Sequence, residues 1–506
     1  MGSKPTEPTQ KTEPIPKKTF DVAIVGGGIA GLYAAWRLKE AWNGQSTGKG
    51  DAASRKALDD LKLGSGGKLE VVILEQDPML LGGRLRSTEL PFPHGSVIAE
   101  VGAMRLTTRH RLLRRLLKEL KIQTVPFEGN GFSTRYFLRG KHFGSSDIEH
   151  YNKENFPYHF RTGEERKSPD DLLLLVLEHT LHELSLDDEA GPEALMVLEK
   201  LRGKHSRGSM THREWEQIRT HGLVTGKVRL RDIGMWNLIH HYLSPEAAQF
   251  VEDGFGYESI IGNWNVSDAI PWFISDFSPG QTYETVVNGF SHLVNRLAKE
   301  FEEDIKKDDP FQCNVLLNRR VTKVSKGQKE GEAQVLCLST EKAHPEYKHK
   351  YENRMHDFFD EQPTTEQPPT GKRTLHARLV ILALPKWPLE HLDLGDIAPP
   401  GSENREKWQT RLNEVRPHRL VKIVHGYRDA WWHKADNHKG AGSRIFTDLP
   451  LRQAYYFDRE WLEERGRYQH YDKNGWLIES HDKKSPTSKA WLLPILTAIM
   501  LNSGAS

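Results

Sequence analysis

At 506 residues the chain is long enough for about three compact units, each able to bury a sizeable core. Its 71 Lys and Arg against 69 Asp and Glu leave a formal charge of +2, so the chain carries no nucleic-acid-like charge bias. Two cysteines, Cys313 and Cys337, offer neither a disulfide framework nor a zinc site, the 24 histidines form no metal spacing, and no window reaches the ~18 apolar residues of a membrane span.

Residues 1–19 are Pro, Thr, Lys and Glu without an apolar signal core, and read as a flexible tail. Together with the sparse cysteines this points to a cytoplasmic setting. The run Asp21 to Gly31, DVAIVGGGIAG, is an apolar β-branched strand entering Gly26-x-Gly28-x-x-Gly31 and then an apolar helix. In a dinucleotide-binding unit Gly26 makes the tight turn, Gly28 lets backbone approach a pyrophosphate, and Gly31 lets the helix pack on the strand. The helix N-terminus then faces the anion. Alone, such a motif is as compatible with a structural turn. Two further pieces add weight: a second strand, Leu69 to Leu74, ends in Glu75, placed to hold ribose hydroxyls, and Gly82-Gly83-Arg84 brings a cation and open backbone toward phosphate. Glu75 follows Gly26 by 49 residues where about 20 is usual, and the polar stretch 41–68 accounts for the excess as a surface insertion.

Further along, Thr108 to Lys121 places Leu112, Leu113, Leu116, Leu117 and Leu120 at helical spacing with a basic outer face, which is read as solvated. Tyr136 to Leu138 and Lys141 to Phe143 suggest a hairpin. Ser168-Pro169-Asp170-Asp171 is a helix start, with a hydroxyl cap, proline in the first turn and carboxylates at the positive end of the dipole. Helices are predicted over Leu172 to Leu184, Pro192 to Arg202, Trp215 to Thr220 and Ile233 to Tyr242. The aromatic stretch 255–283 is either a wall over a ligand or ordinary core. Gly289 opens an amphipathic helix. Val315 to Leu317 and Val321 to Val324 look like a strand pair, as do Val335 to Ser339 and Arg378 to Leu384. Between the latter two, residues 341–372 are charged and aperiodic, a mobile insertion. Strands are expected at Arg419 to Tyr427 and Arg444 to Phe457.

The segments GGGIAGLYAA, LEQ, GGR and AEVGAMRL resemble the flavin-dependent amine oxidase superfamily, specifically its L-amino acid oxidase branch, with Glu100 to Arg105 the more specific part. The resemblance continues through Asp253 to Tyr257, Asn263 to Asn265, Thr285 to Leu293, Val380 to Pro385, Lys422 with Trp432, Asp448 to Pro450 and Tyr455-Tyr456. It implies an α/β flavoprotein of the GR2 type: a Rossmann-like FAD-binding domain with an inserted helical domain and a mixed-sheet substrate domain. The expected division is an FAD-binding part at 20–105, a helical domain at 106–230, substrate-domain segments at 231–283 and 391–480, a second FAD-binding part at 284–390, and an atypical C-terminus at 481–506.

The resemblance also implies FAD as cofactor, held by Gly26, Gly28, Gly31, Glu75, Gly83, Arg84, the Gly102-Ala103-Met104-Arg105 run and the backbone of Val321. The reaction would be oxidative deamination of an L-amino acid by O2 to the 2-oxo acid, ammonia and hydrogen peroxide, with no metal, no nucleic acid and no membrane span, and with homo-oligomerisation left open. Flavin chemistry of this kind needs orientation more than acid–base groups, and a guanidinium offers a planar two-point match to a carboxylate. Arg105 stands at the family's carboxylate position, a surface salt bridge being the plain alternative. Tyr456 matches the second carboxylate contact, with Tyr455 on the opposite strand face, and a shift of one residue would exchange them. Lys422 matches the lysine that holds a water beside the flavin. An amino-acid 2-monooxygenase and an amine or polyamine oxidase are the alternatives within the superfamily. The 50 residues after Tyr456 lack the family's closing Gly-Glu flavin segment. The chain therefore looks truncated or altered relative to the family, and a weakly active or inactive FAD-binding fragment is the alternative from another class.

Overall fold

The computed structural model describes residues 19–43, 52–64, 67–92, 95–128, 133–203, 210–225, 227–256, 264–276, 282–302, 310–339, 371–415, 417, 420–427, 442–457, 459–471, 477–478 and 495–501. The expected tail, Trp432, and most of the 341–372 and 481–506 stretches lie outside the described residues. The chain divides into two compact units, one formed by Met1–Leu85 and Leu293–Pro417, the other by Arg86–His292 and His418–Ser506.

In the first unit the strands Phe311–Leu316, Leu69–Leu74, Thr19–Val25 and Gly371–Leu382 lie side by side in parallel. Both faces of Thr19–Val25 are covered, as its run of apolar residues requires: Val22, Ala23 and Ile24 are fully buried. The helix Ile29–Asn43 follows at once, burying Leu32, Ala35 and Trp36. An antiparallel meander of Arg320–Lys326, Ala333–Ser339 and the start of Gly371–Leu382 completes the sheet. Val335, Cys337, Leu375 and Ala377 of this meander share one buried cluster with Phe20, Ala23, Val72 and Leu74, so the meander and the parallel strands contribute to one core.

Two expected pairings differ here. Phe311–Leu316 and Arg320–Lys326 are not partners but occupy opposite edges of the sheet order. The short link between them turns through Asn318, in the left-handed region at φ 54°, and sends each strand to a different neighbour. Similarly, Ala333–Ser339 pairs with residues 371–377, whereas His376 to Leu382 pairs with Thr19–Val25. The single long strand Gly371–Leu382 thus changes partner midway.

The second unit is built on a six-stranded sheet in the order Val421–Tyr427, Ile495–Leu501, Gln453–Phe457, Gly442–Thr447, Ser133–Leu138 and Lys141–Gly144. The last two form the expected hairpin, but instead of standing alone they join the sheet through a parallel pairing with Gly442–Thr447. Beside it lie the helices Pro169–Glu183, Pro192–Arg202, His212–His221, Met235–Tyr242, Pro245–Gly254 and Val266–Asp276. Ser168 starts the first as anticipated: its Oγ accepts from the Asp171 backbone N–H at 3.2 Å while Asp171 accepts from the Ser168 N–H at 3.0 Å. Leu172, Val176, Leu177 and Leu181 then face one large core. Trp264, Trp272 and Phe273 pack against that core too, which gives this part of the aromatic stretch the ordinary reading. Asp253 is also structural, accepting from the Tyr158 hydroxyl at 2.6 Å. No described helix is long and apolar enough to cross a membrane.

Candidate active site

The first unit holds the nucleotide-type turn. Gly26 has φ 108°, a conformation that L side chains rarely adopt, and a Cβ there would stand 2.6 Å from the Ala383 carbonyl oxygen. At Gly31 a Cβ would lie 2.0 Å from the Gly26 carbonyl oxygen, so helix and strand approach too closely for any side chain. Gly28 is different. A Cβ there would meet only the Gly82 oxygen at 3.8 Å, so the protein itself leaves that space open. Gly28 and Gly82 form a parallel bridge, with the Gly82 N–H donating to the Gly27 carbonyl at 2.9 Å, which sets Gly83 and the exposed Arg84 beside the turn. Glu75, nearly buried at the end of Leu69–Leu74, accepts from the Gly27 N–H at 2.7 Å and the Asp77 N–H at 2.9 Å. These residues fit a dinucleotide, because a cradle free of side chains lies next to an anchored carboxylate. Val321 is half-buried in the meander beside a β-bulge and packs against two apolar clusters.

Two substitutions separate cofactor from fold at this turn. Gly31→Ala is expected to destabilise the chain by about 1–3 kcal/mol through overpacking, read as a lower Tm with or without flavin. Gly28→Ala is expected to leave the Tm of cofactor-free protein unchanged and to lower the FAD bound per polypeptide, read from flavin absorbance.

In the second unit, residues 101–105 link the strand Gly95–Glu100 to Leu106–Thr107, which pairs with Tyr283–Val286. A buried network holds this link. Glu100 and Arg467 form an ion pair with side-chain exposures of 7% and 3%. Arg467 also donates to Thr285 Oγ1 at 2.8 Å, and the Thr285 hydroxyl donates to the Met104 carbonyl at 2.9 Å. The remaining capacity of Glu100 is filled by the Phe290 N–H and the Ser87 hydroxyl, both at 2.8 Å. Held in this way, Gly102, Ala103 and Met104 carry Arg105 to a box of rings. Its guanidinium carbon lies 4.1 Å from the ring centre of Tyr283, 5.6 Å from that of Phe127 and 5.9 Å from that of Tyr455.

Tyr455, not Tyr456, is the tyrosine facing Arg105. It is fully buried against Phe127 and Phe457, and strand alternation puts the half-buried Tyr456 on the other face of Gln453–Phe457. This is the one-residue exchange left open by the sequence. Lys422 lies on the outer strand of the same sheet, and its ammonium donates to the Gly102 carbonyl. Burial pushes the Lys422 pKa down to about 8; Arg105 and Arg467 also lower it, while Glu100 opposes them. Arg105, Lys422 and Tyr455 are therefore brought together in the second unit. The expected cofactor residues Gly26, Gly28, Gly31, Glu75, Gly83, Arg84 and Val321 belong to the first.

Phe127, Tyr283 and Arg467 were not singled out as site residues by sequence reasoning. Each reaches this region from a distant segment and carries no local motif.

The sequence profile of the flavin-containing amine oxidoreductases matches residues 29–475. The chain belongs to the flavin-containing amine oxidoreductase family. Its cofactor is accordingly FAD, for which the Gly28 cradle and Glu75 are suited. As a member of that family it is 24% identical over 452 residues to Aplysianin-A of Aplysia kurodai, a match covering 87% of this chain and 64% of Aplysianin-A. It is 28% identical over 159 residues to Achacin of Lissachatina fulica, covering 31% of this chain and 24% of Achacin. The chain thus spans less than two thirds of the length of either relative. A putrescine oxidase variant from a redesign of cofactor binding superposes with a TM-score of 0.52 at 15% identity, covering 96% of this chain and 76% of that one. At this identity the likeness concerns the fold, which is that of a flavin amine oxidase.

Proposed function

We propose that this oxidoreductase catalyses the oxidative deamination of an L-amino acid. The bound flavin supplies the acceptor for the hydride leaving Cα; O2 then takes up the two electrons as hydrogen peroxide, and water releases the 2-oxo acid and ammonia. The observation that carries this reading is the Arg105 guanidinium, presented inside the ring box of Tyr283, Phe127 and Tyr455. A planar fork among aromatic faces binds a carboxylate at two points, and the rings keep water from weakening the contact. On that face Tyr455, rather than Tyr456, lies beside Arg105, with its ring as part of the wall and its hydroxyl donating to Gln453 Oε1 at 3.3 Å. A simple amine gives the guanidinium no task.

Lys422 is assigned the role of holding a water and, when charged, of favouring the charge that develops as O2 is reduced. Its pKa of about 8 makes this step pH-dependent. The charged form is lost as pH rises through that value, so the reoxidation rate is expected to fall above about pH 8. Stopped-flow reoxidation of the reduced protein across pH reads this limb directly, and Lys422→Met should abolish it.

The test of the reaction is product analysis on purified protein given a mixture of L-amino acids and O2. Equal amounts of 2-oxo acid and peroxide are expected. An amide with one carbon fewer would point instead to a decarboxylating monooxygenase, and protein that stays colourless with added FAD would defeat both.

A further inference from the structure

A second guanidinium stands on the same sheet face as Tyr455. Arg444 is directly opposite Tyr455 in the antiparallel pair Gly442–Thr447 and Gln453–Phe457, and level with Thr134 in the neighbouring strand. Residues paired in this way point to one face with Cβ atoms about 5 Å apart. Tyr455 therefore lies between two guanidinium groups, Arg105 over its ring at 5.9 Å and Arg444 beside it. The Arg444 head is fixed: Nε donates to Thr134 Oγ1 at 2.9 Å, and its guanidinium carbon lies 5.2 Å from the ring centre of Phe446. Its side chain is only 19% exposed, yet the ion partner near it, Glu128, is 43% exposed and 3.8 Å away, a contact screened by water. The other carboxyl in its field, Asp170, is pushed up by burial and drawn down by Arg444 itself. Arg105 and Lys422 add two further cations to this region, with Glu128 and Asp170 the carboxyls nearest Arg444 in its field.

We propose that Arg444 receives a second carboxylate, at the end of the substrate side chain, so that the preferred substrates are L-amino acids with acidic side chains. This rests on the amino-acid oxidase reading, with the α-carboxylate on Arg105 and the Tyr455 ring as the wall between the two ends. Arg444 then sets specificity and touches only the substrate side chain, away from the bond that is broken. Nothing in its local sequence marks it, because its position follows from the Arg444 to Tyr455 register.

The experiment uses the FAD-loaded protein and two readouts. In turnover, kcat/KM for L-glutamate and L-aspartate is expected to exceed that for L-glutamine and L-leucine at least about 10-fold, since a charge-assisted pair distinguishes them. Arg444→Met should remove that advantage, acting mainly on KM, and Arg444→Lys should restore part of it. In binding, glutarate should perturb the flavin spectrum at lower concentration than butyrate, and Arg444→Met should equalise the two. A parent that prefers basic or apolar amino acids, or an Arg444→Met variant that loses all substrates in equal proportion, overturns the proposal. Absence of turnover with tight, Arg444-dependent glutarate binding would defeat the oxidase reading and leave the second carboxylate site standing. Equal binding of glutarate and butyrate to the parent overturns the site itself.

Discussion

Replacing Arg105 by methionine is expected to raise KM for L-amino acids on the order of 100- to 1,000-fold, because two charge-assisted hydrogen bonds, each worth about 1.5–3 kcal/mol, are removed together. Methionine fills similar space against Tyr283, Phe127 and Tyr455, so FAD content and Tm should stay near those of the parent. Steady-state kinetics with flavin quantified per polypeptide reads both. A variant that retains KM while losing kcat would place Arg105 elsewhere than on the substrate carboxylate.

The second large effect concerns the buried pair beneath that site. Arg467→Leu is expected to cost about 3–5 kcal/mol, since Glu100 would keep a charge in a site where its side chain is 7% exposed. Thr285 Oγ1 and the Val286 carbonyl would also lose a donor. Thermal unfolding should shift downward on the order of 10 °C. Adding Glu100→Gln removes the stranded charge and should recover part of the loss, and the non-additivity measures the coupling. Thr285 holds the Met104 carbonyl, so residual Arg467→Leu protein should also show a higher KM, through a less fixed Arg105.

The parts of this architecture carried by short stretches were legible in the sequence. Gly26, Gly28 and Gly31 act within a few residues of one another, and the reason for each glycine is local: a left-handed turn, an open cradle, a close helix. The capped start at Ser168 and the hairpin after Ser133 are likewise local. What failed was partner choice. Val315 to Leu317 and Val321 to Val324 are short runs rich in apolar and β-branched residues with a short link, the pattern of a hairpin, yet their partners come from Leu69–Leu74 and Ala333–Ser339. The choice between Tyr455 and Tyr456 depends on register, fixed by Phe127 packing from more than three hundred residues away along the chain. Arg467 sits in a stretch so rich in charge that one arginine cannot be told from its neighbours until it meets Glu100. The aromatic stretch divided for the same reason: Trp264 and Trp272 face the helical core, while Tyr283, on a strand paired with Leu106–Thr107, faces Arg105.

The central claim is that Arg105 selects substrates by their α-carboxylate, and anaerobic flavin reduction tests it most directly. The FAD-loaded protein is mixed without oxygen first with a set of L-amino acids and then with the amines left when each loses its carboxylate, and loss of the yellow absorbance is followed. The account predicts bleaching by members of the acid set and essentially none by the matching amines at equal concentration. Reduction by the amines as fast as by the acids would contradict it.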